Sequence, residues 1–220
     1  MTARVLAVDI GGHNVKILAT GQTDPRKIPS GPELTPDKMV RAVKARATDW
    51  DYDVISMGYP GPVRDGRPHE DPQNLGAGWV GFDYAAGFGV PIRILNDAAM
   101  QALGSYRGHG RMLFLGLGTG LGSAIVDDWE VEPMELAHLP YRKGRTYEDY
   151  VGIEGLERRG EKKWRRSVLD VIERLAEGLQ VDYVVLGGGN AKRLKELPEG
   201  VFPGDNDNAF VGGFRMWEER

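Results

Sequence analysis

Pro91-Ile92-Arg93-Ile94-Leu95-Asn96-Asp97-Ala98-Ala99-Met100-Gln101-Ala102-Leu103 is the stretch whose reading decides the fold. Residues 91–95 read as a short apolar strand, and 98–103 have the composition of a helix. Asn96-Asp97 therefore falls where a strand passes into a helix. Further on, Arg111-Met112-Leu113-Phe114-Leu115 is a second apolar strand. It runs into Gly116-Leu117-Gly118-Thr119-Gly120-Leu121-Gly122 and leaves through Ser123-Ala124-Ile125-Val126. A carboxylate at a strand end, beside a glycine-rich β-turn, is what phosphoryl transfer requires: one group to take a proton and bare backbone to receive phosphate.

The same pattern opens the chain. Residues 4–10 and 14–19 read as two buried strands, with Gly11-Gly12-His13 between them as a hairpin signal. Laid against 111–126, Asp9 falls on Gly116, Gly11 on Gly118 and His13 on Gly120. The pattern predicts an internal repeat: two α/β halves, each opened by a β-hairpin whose glycine turn faces a shared cleft.

Between these hairpins, Thr35-Pro36 is a helix-start pair, and Met39, Val40 and Val43 give that helix one apolar stripe. Residues 53–57 read as a strand, 58–62 as a shaped loop, and 64–79 as an irregular polar loop of the kind that carries binding residues. Gly81–Phe88 reads as a short helix. Past Val126, residues 127–130 suggest a turn and 157–179 one continuous helix, basic at its start and apolar-striped after it. Residues 182–186 read as a strand, then Gly187-Gly188-Gly189-Asn190 and a short helix from Ala191. The tail, 208–218, is predicted as a helix with Phe210, Val211, Phe214 and Trp217 inward.

A length of 220 residues supports a substantial core. The net charge of −4 gives no reason to expect nucleic acid as a partner. The absence of cysteine excludes disulfides and thiolate-bound zinc. With no signal peptide and no apolar run long enough to span a bilayer, no membrane association is expected and a cytoplasmic location is.

Each candidate residue has an ordinary structural explanation beside its functional one. Asp9 with Gly11 and Gly12 is either a hairpin with an exposed carboxylate, or a phosphate-binding turn whose carboxylate holds a metal or its waters. Gly118, Thr119 and Gly120 carry the same pair of readings. Neither turn matches a Rossmann or Walker fingerprint. Asp97 is a helix N-cap or the general base that takes a hydroxyl proton, with Asn96 holding substrate beside it. Gly187, Gly188 and Gly189 are helix-entry chemistry or bare backbone against which an adenine lies flat. Glu135 and His138, three apart, share one side of a helical turn as a sugar-binding pair or as structural residues. The basic run Arg158, Arg159, Lys162, Lys163, Arg165 and Arg166 reads first as a solvated helix face, unless the phosphate donor is a polyanion.

The ordered set Asp9-Ile10-Gly11-Gly12…Lys16, Gly58-Tyr59-Pro60-Gly61, Asn74-Leu75, Asn96-Asp97, 117–124, Glu135-Leu136-Ala137-His138 and Gly187-Gly188-Gly189 resembles the ROK family of sugar kinases, closest to its polyphosphate glucokinase branch. The resemblance spans nearly the whole chain. It implies an actin/hexokinase-like ATPase fold of two α/β domains around a cleft that closes on a sugar. The domains are then 1–105, with 208–220 as a returning C-terminal helix, and 106–207. By the same resemblance Asp97 is the base for the 6-hydroxyl of a hexose, most simply glucose. Asn74, Asn96, Glu135, His138 and Glu148 contact the other hydroxyls. Gly11, Gly12, Gly118, Thr119 and Gly120 cradle the phosphates of ATP or polyphosphate, and Asp9 acts through Mg²⁺. A homodimer is common in the family.

The chain departs from the family pattern at His13, which stands in the first phosphate turn where a small hydroxyl residue is usual. Ala137 replaces a glycine, the zinc-binding cysteines of many members are missing, and the chain is shorter than typical members. These departures motivate a rival: a non-catalytic sugar-binding or regulatory ROK-like protein with a degenerate donor site.

Overall fold

The computed structural model describes residues 3–205 and 207–219; Met1, Thr2, Asn206 and Arg220 lie outside them. The chain divides into two compact units, Met1–Met100 with Ala209–Arg220, and Gln101–Asn208.

The first unit holds β1 (Val5–Ile10), β2 (Asn14–Ala19), β3 (Arg26–Pro29), α1 (Pro36–Arg46), β4 (Val54–Tyr59), β5 (Val63–Arg64), β6 (Arg67–Pro68), α2 (Tyr84–Phe88) and β7 (Ile92–Asn96). Its five-stranded sheet has the order β3-β2-β1-β4-β7. β1, β4 and β7 are parallel, while β2 and β3 are antiparallel to their neighbours. Parallel strands covered on both faces read as unbroken apolar runs, and Val5–Val8 and the whole of β4 are buried accordingly. Thr35 caps α1 through Lys38 N (3.4 Å), Pro36 takes its first turn, and Met39, Val40 and Val43 turn inward.

α3 (Asp97–Ser105) carries the chain into the second unit. There follow β8 (Met112–Leu117), β9 (Leu121–Asp127), β10 (Glu130–Met134), a 3₁₀ turn at Leu136–His138, β11 (Pro140–Arg142), β12 (Arg145–Thr146), α4 (Glu148–Val151), α5 (Ile153–Arg159), α6 (Glu161–Leu179), β13 (Tyr183–Gly187), a 3₁₀ turn at Ala191–Arg193 and β14 (Val201–Pro203). This sheet has the order β10-β9-β8-β13-β14, with β8, β13 and β14 parallel and the β8–β9–β10 meander antiparallel. The two sheets share one topology. Their opening hairpins turn at 11–13 and at 118–120, with Ile10 paired to Val15 in the first and Leu117 to Leu121 in the second. The internal repeat is therefore a repeat of structure.

Several sequence expectations are corrected. Gly58 and Tyr59 belong to β4, so the shaped loop begins at Pro60. The polar stretch after it contains the β5–β6 hairpin, turned on Asp65 (φ 49°) and Gly66 (φ 69°), a two-residue signal of the Asp-Gly type. The predicted continuous helix over 157–179 is broken at Gly160, whose φ of 74° no helix accommodates. Trp164 then docks fully buried, its indole donating to the Val151 carbonyl at 2.7 Å.

α7 (Asn208–Arg215) returns the chain to the first unit, and its inward face differs from the expected one. Val211 is 37% exposed, while Gly212 and Gly213 are buried. A Cβ on Gly213 would lie 2.7 Å from the Cβ of Ala7, and the Gly213 carbonyl accepts from the buried Ser56 hydroxyl (2.5 Å). The helix thus approaches the sheet through glycine backbone. Trp217 lies beyond its end, donating to Ser56 Oγ (3.0 Å).

The 69–81 loop is ordered by Asp71, whose carboxylate accepts from the backbone N–H groups of Gly78 (3.0 Å), Trp79 (2.8 Å) and Val80 (3.2 Å). These bonds hold the Asp71 carboxyl below the ordinary carboxylate range against a smaller opposing effect of desolvation.

Gly213→Val is expected to cost about 1–3 kcal/mol through overpacking, and Val211→Ala about 0.5 kcal/mol or less, in urea denaturation; equal costs would contradict the orientation of α7. For Asp71, the folded carboxyl titrates below its unfolded value of about 3.9. Its contribution is therefore fully present above that pH and is lost as pH falls through the lower folded value. The amide resonances of Gly78 and Trp79 should titrate with a midpoint below about 3.9, and Asp71→Ala should remove that titration; a midpoint at or above the free value would contradict the assignment.

Candidate active site

In the first unit, three parallel strands end on one edge of one sheet, the position at which open α/β sheets bind ligands. Asp9 near the end of β1 is level with Gly58 of β4, which is level with Leu95 of β7. Two strand spacings, about 10 Å, therefore separate Asp9 from the Leu95–Asp97 strand end. Gly58 makes the close approach: a Cβ there would lie 3.5 Å from the Cα of Asp97 and would collide with the terminal methyl of Met100.

At the strand-to-helix junction the cap is Asn96. Its Oδ1 accepts from the N–H groups of Ala98 (3.0 Å) and Ala99 (3.2 Å), and its Nδ2 donates to the Gly61 carbonyl (3.2 Å). Asp97 is the first residue of α3, its Oδ1 accepting from Ala98 N at 2.7 Å. The capping explanation of Asp97 thus passes to its neighbour. Asn96, expected to hold substrate, anchors the helix start to the Pro60–Pro62 loop.

The first glycine turn is braced by a residue the sequence reading passed over. Ser30 Oγ donates to the Gly11 carbonyl (2.6 Å), and Ser30 N to the His13 carbonyl (3.1 Å). Gly11 N–H closes the hairpin on Asn14 O (3.0 Å). Gly12 and His13 are exposed. Asn74, on the loop ordered by Asp71, is also exposed, and its Cβ would stand 3.9 Å from a Cβ on Gly12. Asp9 lies opposite Lys16 in the β1–β2 register, with Oδ2 3.8 Å from Nζ. Burial pushes the Asp9 carboxyl up, and the Lys16 ammonium opposes that shift. A carboxylate so placed is one that a further cation stabilises.

In the second unit the turn at 118–120 is held from three directions. Gly118 N–H donates to Gly120 O (3.1 Å), Asn190 Nδ2 to Gly118 O (3.1 Å), and Ile153 N–H to Thr119 O (2.9 Å). Glu148 supplies a further contact: its Oε2 accepts from Leu121 N–H (3.1 Å), and its carboxylate occupies the space that a side chain at Gly120 would fill. The structure therefore gives Glu148, expected as a sugar contact, a role as brace of the second turn. Gly118 has open space where a Cβ would project.

Packing explains two of the three later glycines. A Cβ at Gly187 would strike the Phe114 ring, and Gly188 (φ 81°) lies against the Leu117 backbone. Gly189 alone of the three faces open space. Glu135 and His138 do face each other, Oε2 to Nε2 3.8 Å, with side chains 65% and 70% exposed. Their turn is tied to β9 by the buried hydroxyl of Ser123, which donates to Met134 O (2.7 Å) and accepts from Leu136 N–H (3.3 Å). Ser30, Asp71 and Ser123 were hard to find in sequence because each acts through backbone groups distant along the chain or on a loop without periodicity.

Among the described residues no group of three or more His, Asp or Glu side chains is placed to hold a metal ion, and no helix is long and apolar enough to cross a membrane.

Comparison with known proteins places this architecture. The fold matches an inorganic polyphosphate/ATP-glucomannokinase from Arthrobacter sp. strain KM at 22% identity and TM-score 0.82, over 97% of this chain and 98% of that one. It matches a ROK family glucokinase from Streptomyces griseus, in complex with glucose and AMPPNP, at 17% identity and TM-score 0.76, over 97% and 99%. A ROK hexokinase from Thermus thermophilus matches at 19% identity and TM-score 0.70, over 97% of each chain. Both five-stranded units thus belong to the hexokinase-like actin-ATPase fold. No curated protein matches the sequence. The ROK family model matches residues 5–132, more than half of the chain, and the chain is a member of the ROK family.

Proposed function

We propose that the chain is a sugar kinase that transfers a phosphoryl group from ATP or polyphosphate to the 6-hydroxyl of a hexose, with glucose the favoured acceptor. The observation that carries this reading is the placement of Asp97. Asn96 caps α3, and Asp97 opens that helix directly after β7, on the edge where the parallel strands of the first sheet end. Membership of the ROK family and the three structures described above support the same chemistry.

In the proposed mechanism Asp97 accepts the proton of the attacking 6-hydroxyl as the oxygen bonds to the terminal phosphorus and that phosphorus parts from the bridging oxygen of the donor, which leaves as ADP or as polyphosphate shortened by one unit. Asn74 and the Glu135–His138 pair orient the remaining hydroxyls. The backbone of Gly11–Gly12 and of Gly118–Gly120, with the Thr119 hydroxyl, receives donor phosphates. Lys16 and Asp9 face each other on the two strands that flank the first turn, so a phosphate and its counter-ion meet opposite charges at neighbouring positions. Asp9 fits Mg²⁺ in the manner usual for that ion, one carboxylate with the remaining positions taken by water and donor oxygens; bound there, the ion neutralises donor charge. Catalysis is then mainly positioning and charge neutralisation.

A second reading, a sugar-binding ROK protein that does not turn over donor, draws on His13, an exposed imidazole in the first turn.

Asp97→Asn is expected to lower kcat by about 10²–10⁴-fold while the sugar dissociation constant stays within about threefold, as measured by coupled assay and by calorimetry. Near-normal kcat in the variant would overturn the assignment of the base. Wild-type protein that binds sugar but shows no saturable binding of ATP or polyphosphate would favour the second reading.

A further inference from the structure

A peptide plane fixes two directions at once. Its C=O and the N–H of the next residue point to opposite sides of the chain, so whatever holds a carbonyl also aims the amide that follows. The first glycine turn is governed in this way from β3. The β2–β3 register sets Pro29 level with Asn14, which brings Ser30, the next residue, alongside the turn at His13. There Ser30 supplies two donors, its Oγ to the Gly11 carbonyl (2.6 Å) and its N–H to the His13 carbonyl (3.1 Å). Among the described residues, the Ser30 hydroxyl is the only donor that the Gly11 carbonyl has. With that carbonyl turned toward Ser30, the Gly12 N–H is turned away from it.

Closure of the hairpin does not need this hydroxyl. Ile10 pairs with Val15, and the Gly11 N–H reaches Asn14 O at 3.0 Å. The amide it aims is also left open. Gly12 is exposed, a Cβ there would meet nothing closer than the Cβ of Asn74 at 3.9 Å, and the Gly12 N–H has no partner among the described residues. An amide held toward open space by a dedicated side chain is a donor kept for an anion.

The second turn repeats the arrangement with an unrelated side chain. Gly118, which takes the place of Gly11 in the repeat, has its carbonyl held by Asn190 Nδ2 (3.1 Å). Thr119 after it is exposed, and its N–H has no partner among the described residues. The two holding residues do not correspond. Ser30 follows β3, which lies beyond β2, whereas Asn190 follows β13, on the other side of β8 from β9. Duplication of a fold would bring the same strand end to both turns. What recurs instead is the held carbonyl and the amide behind it, so the direction of that amide is what both halves maintain.

We propose that Ser30 is a positioning residue for the phosphoryl donor: its hydroxyl, through the Gly11 carbonyl, aims the Gly12 N–H at a donor phosphate. Its effect on turnover rests on the kinase reading above, whereas the aim of the amide does not. The effect is confined to the donor, because the loop that bears Asn74 has fastenings of its own. Asp71 holds the amides of Gly78, Trp79 and Val80, and the Gly76 N–H donates to Leu34 O (3.0 Å).

The test compares wild type with Ser30→Ala, which loses the hydroxyl and keeps the backbone N–H, and with Ser30→Thr, which keeps both. Two readouts are taken: KM for ATP, polyphosphate and glucose separately, and the movement of the Gly12 amide resonance as tripolyphosphate is added. In wild type that resonance should move and saturate. Ser30→Ala is expected to weaken tripolyphosphate binding about tenfold, the worth of one misdirected hydrogen bond to a charged group, and to raise KM for the donor in parallel. KM for glucose should stay within about twofold, and Ser30→Thr should restore most of the donor affinity. A Gly12 resonance that tripolyphosphate does not move in wild type would overturn the proposal. So would unchanged donor affinity in Ser30→Ala, a rise in KM for glucose as large as that for the donor, or a Ser30→Thr variant no better than alanine. Absence of turnover with either donor would remove the kinase reading alone, and the tripolyphosphate titration would still decide the role of Ser30.

Discussion

The parallel pairing of β1, β4 and β7 is the constraint from which the rest of the first unit follows. Parallel neighbours cannot be joined by tight turns, so α1 and the connections after β4 must cross the sheet, and the strand ends are left together on one edge. That edge gathers Asp9, the Pro60–Pro62 loop and Asn96-Asp97 although they are far apart in sequence. Gly58 sets the final spacing, since a side chain there would displace Met100 and the start of α3. The second unit obeys the same constraint through β8, β13 and β14, which brings the 118–120 turn beside Gly188–Asn190.

Within each unit the glycines divide by cause. Gly187 and Gly213 are small because another side chain or backbone occupies the space, and Gly188 adds a positive φ to that reason. Gly12, Gly118 and Gly189 have no such crowding, and Gly12 and Gly118 sit in the two opening turns. Open backbone in the turns of both repeated hairpins is the feature that most nearly separates ligand chemistry from packing here.

The hairpins, the Asn96-Asp97 junction and α1 were legible because each has a local signal: apolar runs broken by glycine, or a cap followed by proline. The repeat was legible because glycine spacing survives where identity does not. Two features that escaped did carry a local signal, the Asp65-Gly66 turn and Gly160, while the others had none. β3 (Arg26–Pro29) and β14 (Val201–Pro203) are short edge strands defined by their partners. Val211 was read inward from its hydrophobicity, but the helix needed glycine against Ala7 and turned it out. Asp97 looked like a cap because aspartate often is one, but the free helix N–H groups of Ala98 and Ala99 meet the Asn96 side chain. Glu148 lies 27 residues from the Leu121 N–H that it accepts from, beyond any reading by spacing. The basic run read as one solvated face, and only the break at Gly160 and the pairing of Glu161 separate the arginine held there from Lys163 and Arg166, which form no ion pair among the described residues.

The most direct measurement is a coupled assay of sugar phosphorylation by the purified protein with Mg²⁺, across a small panel of hexoses, with ATP and polyphosphate supplied separately. The account predicts saturable turnover with glucose and at least one of the two donors. Folded protein that binds a hexose yet phosphorylates none of them with either donor would contradict it.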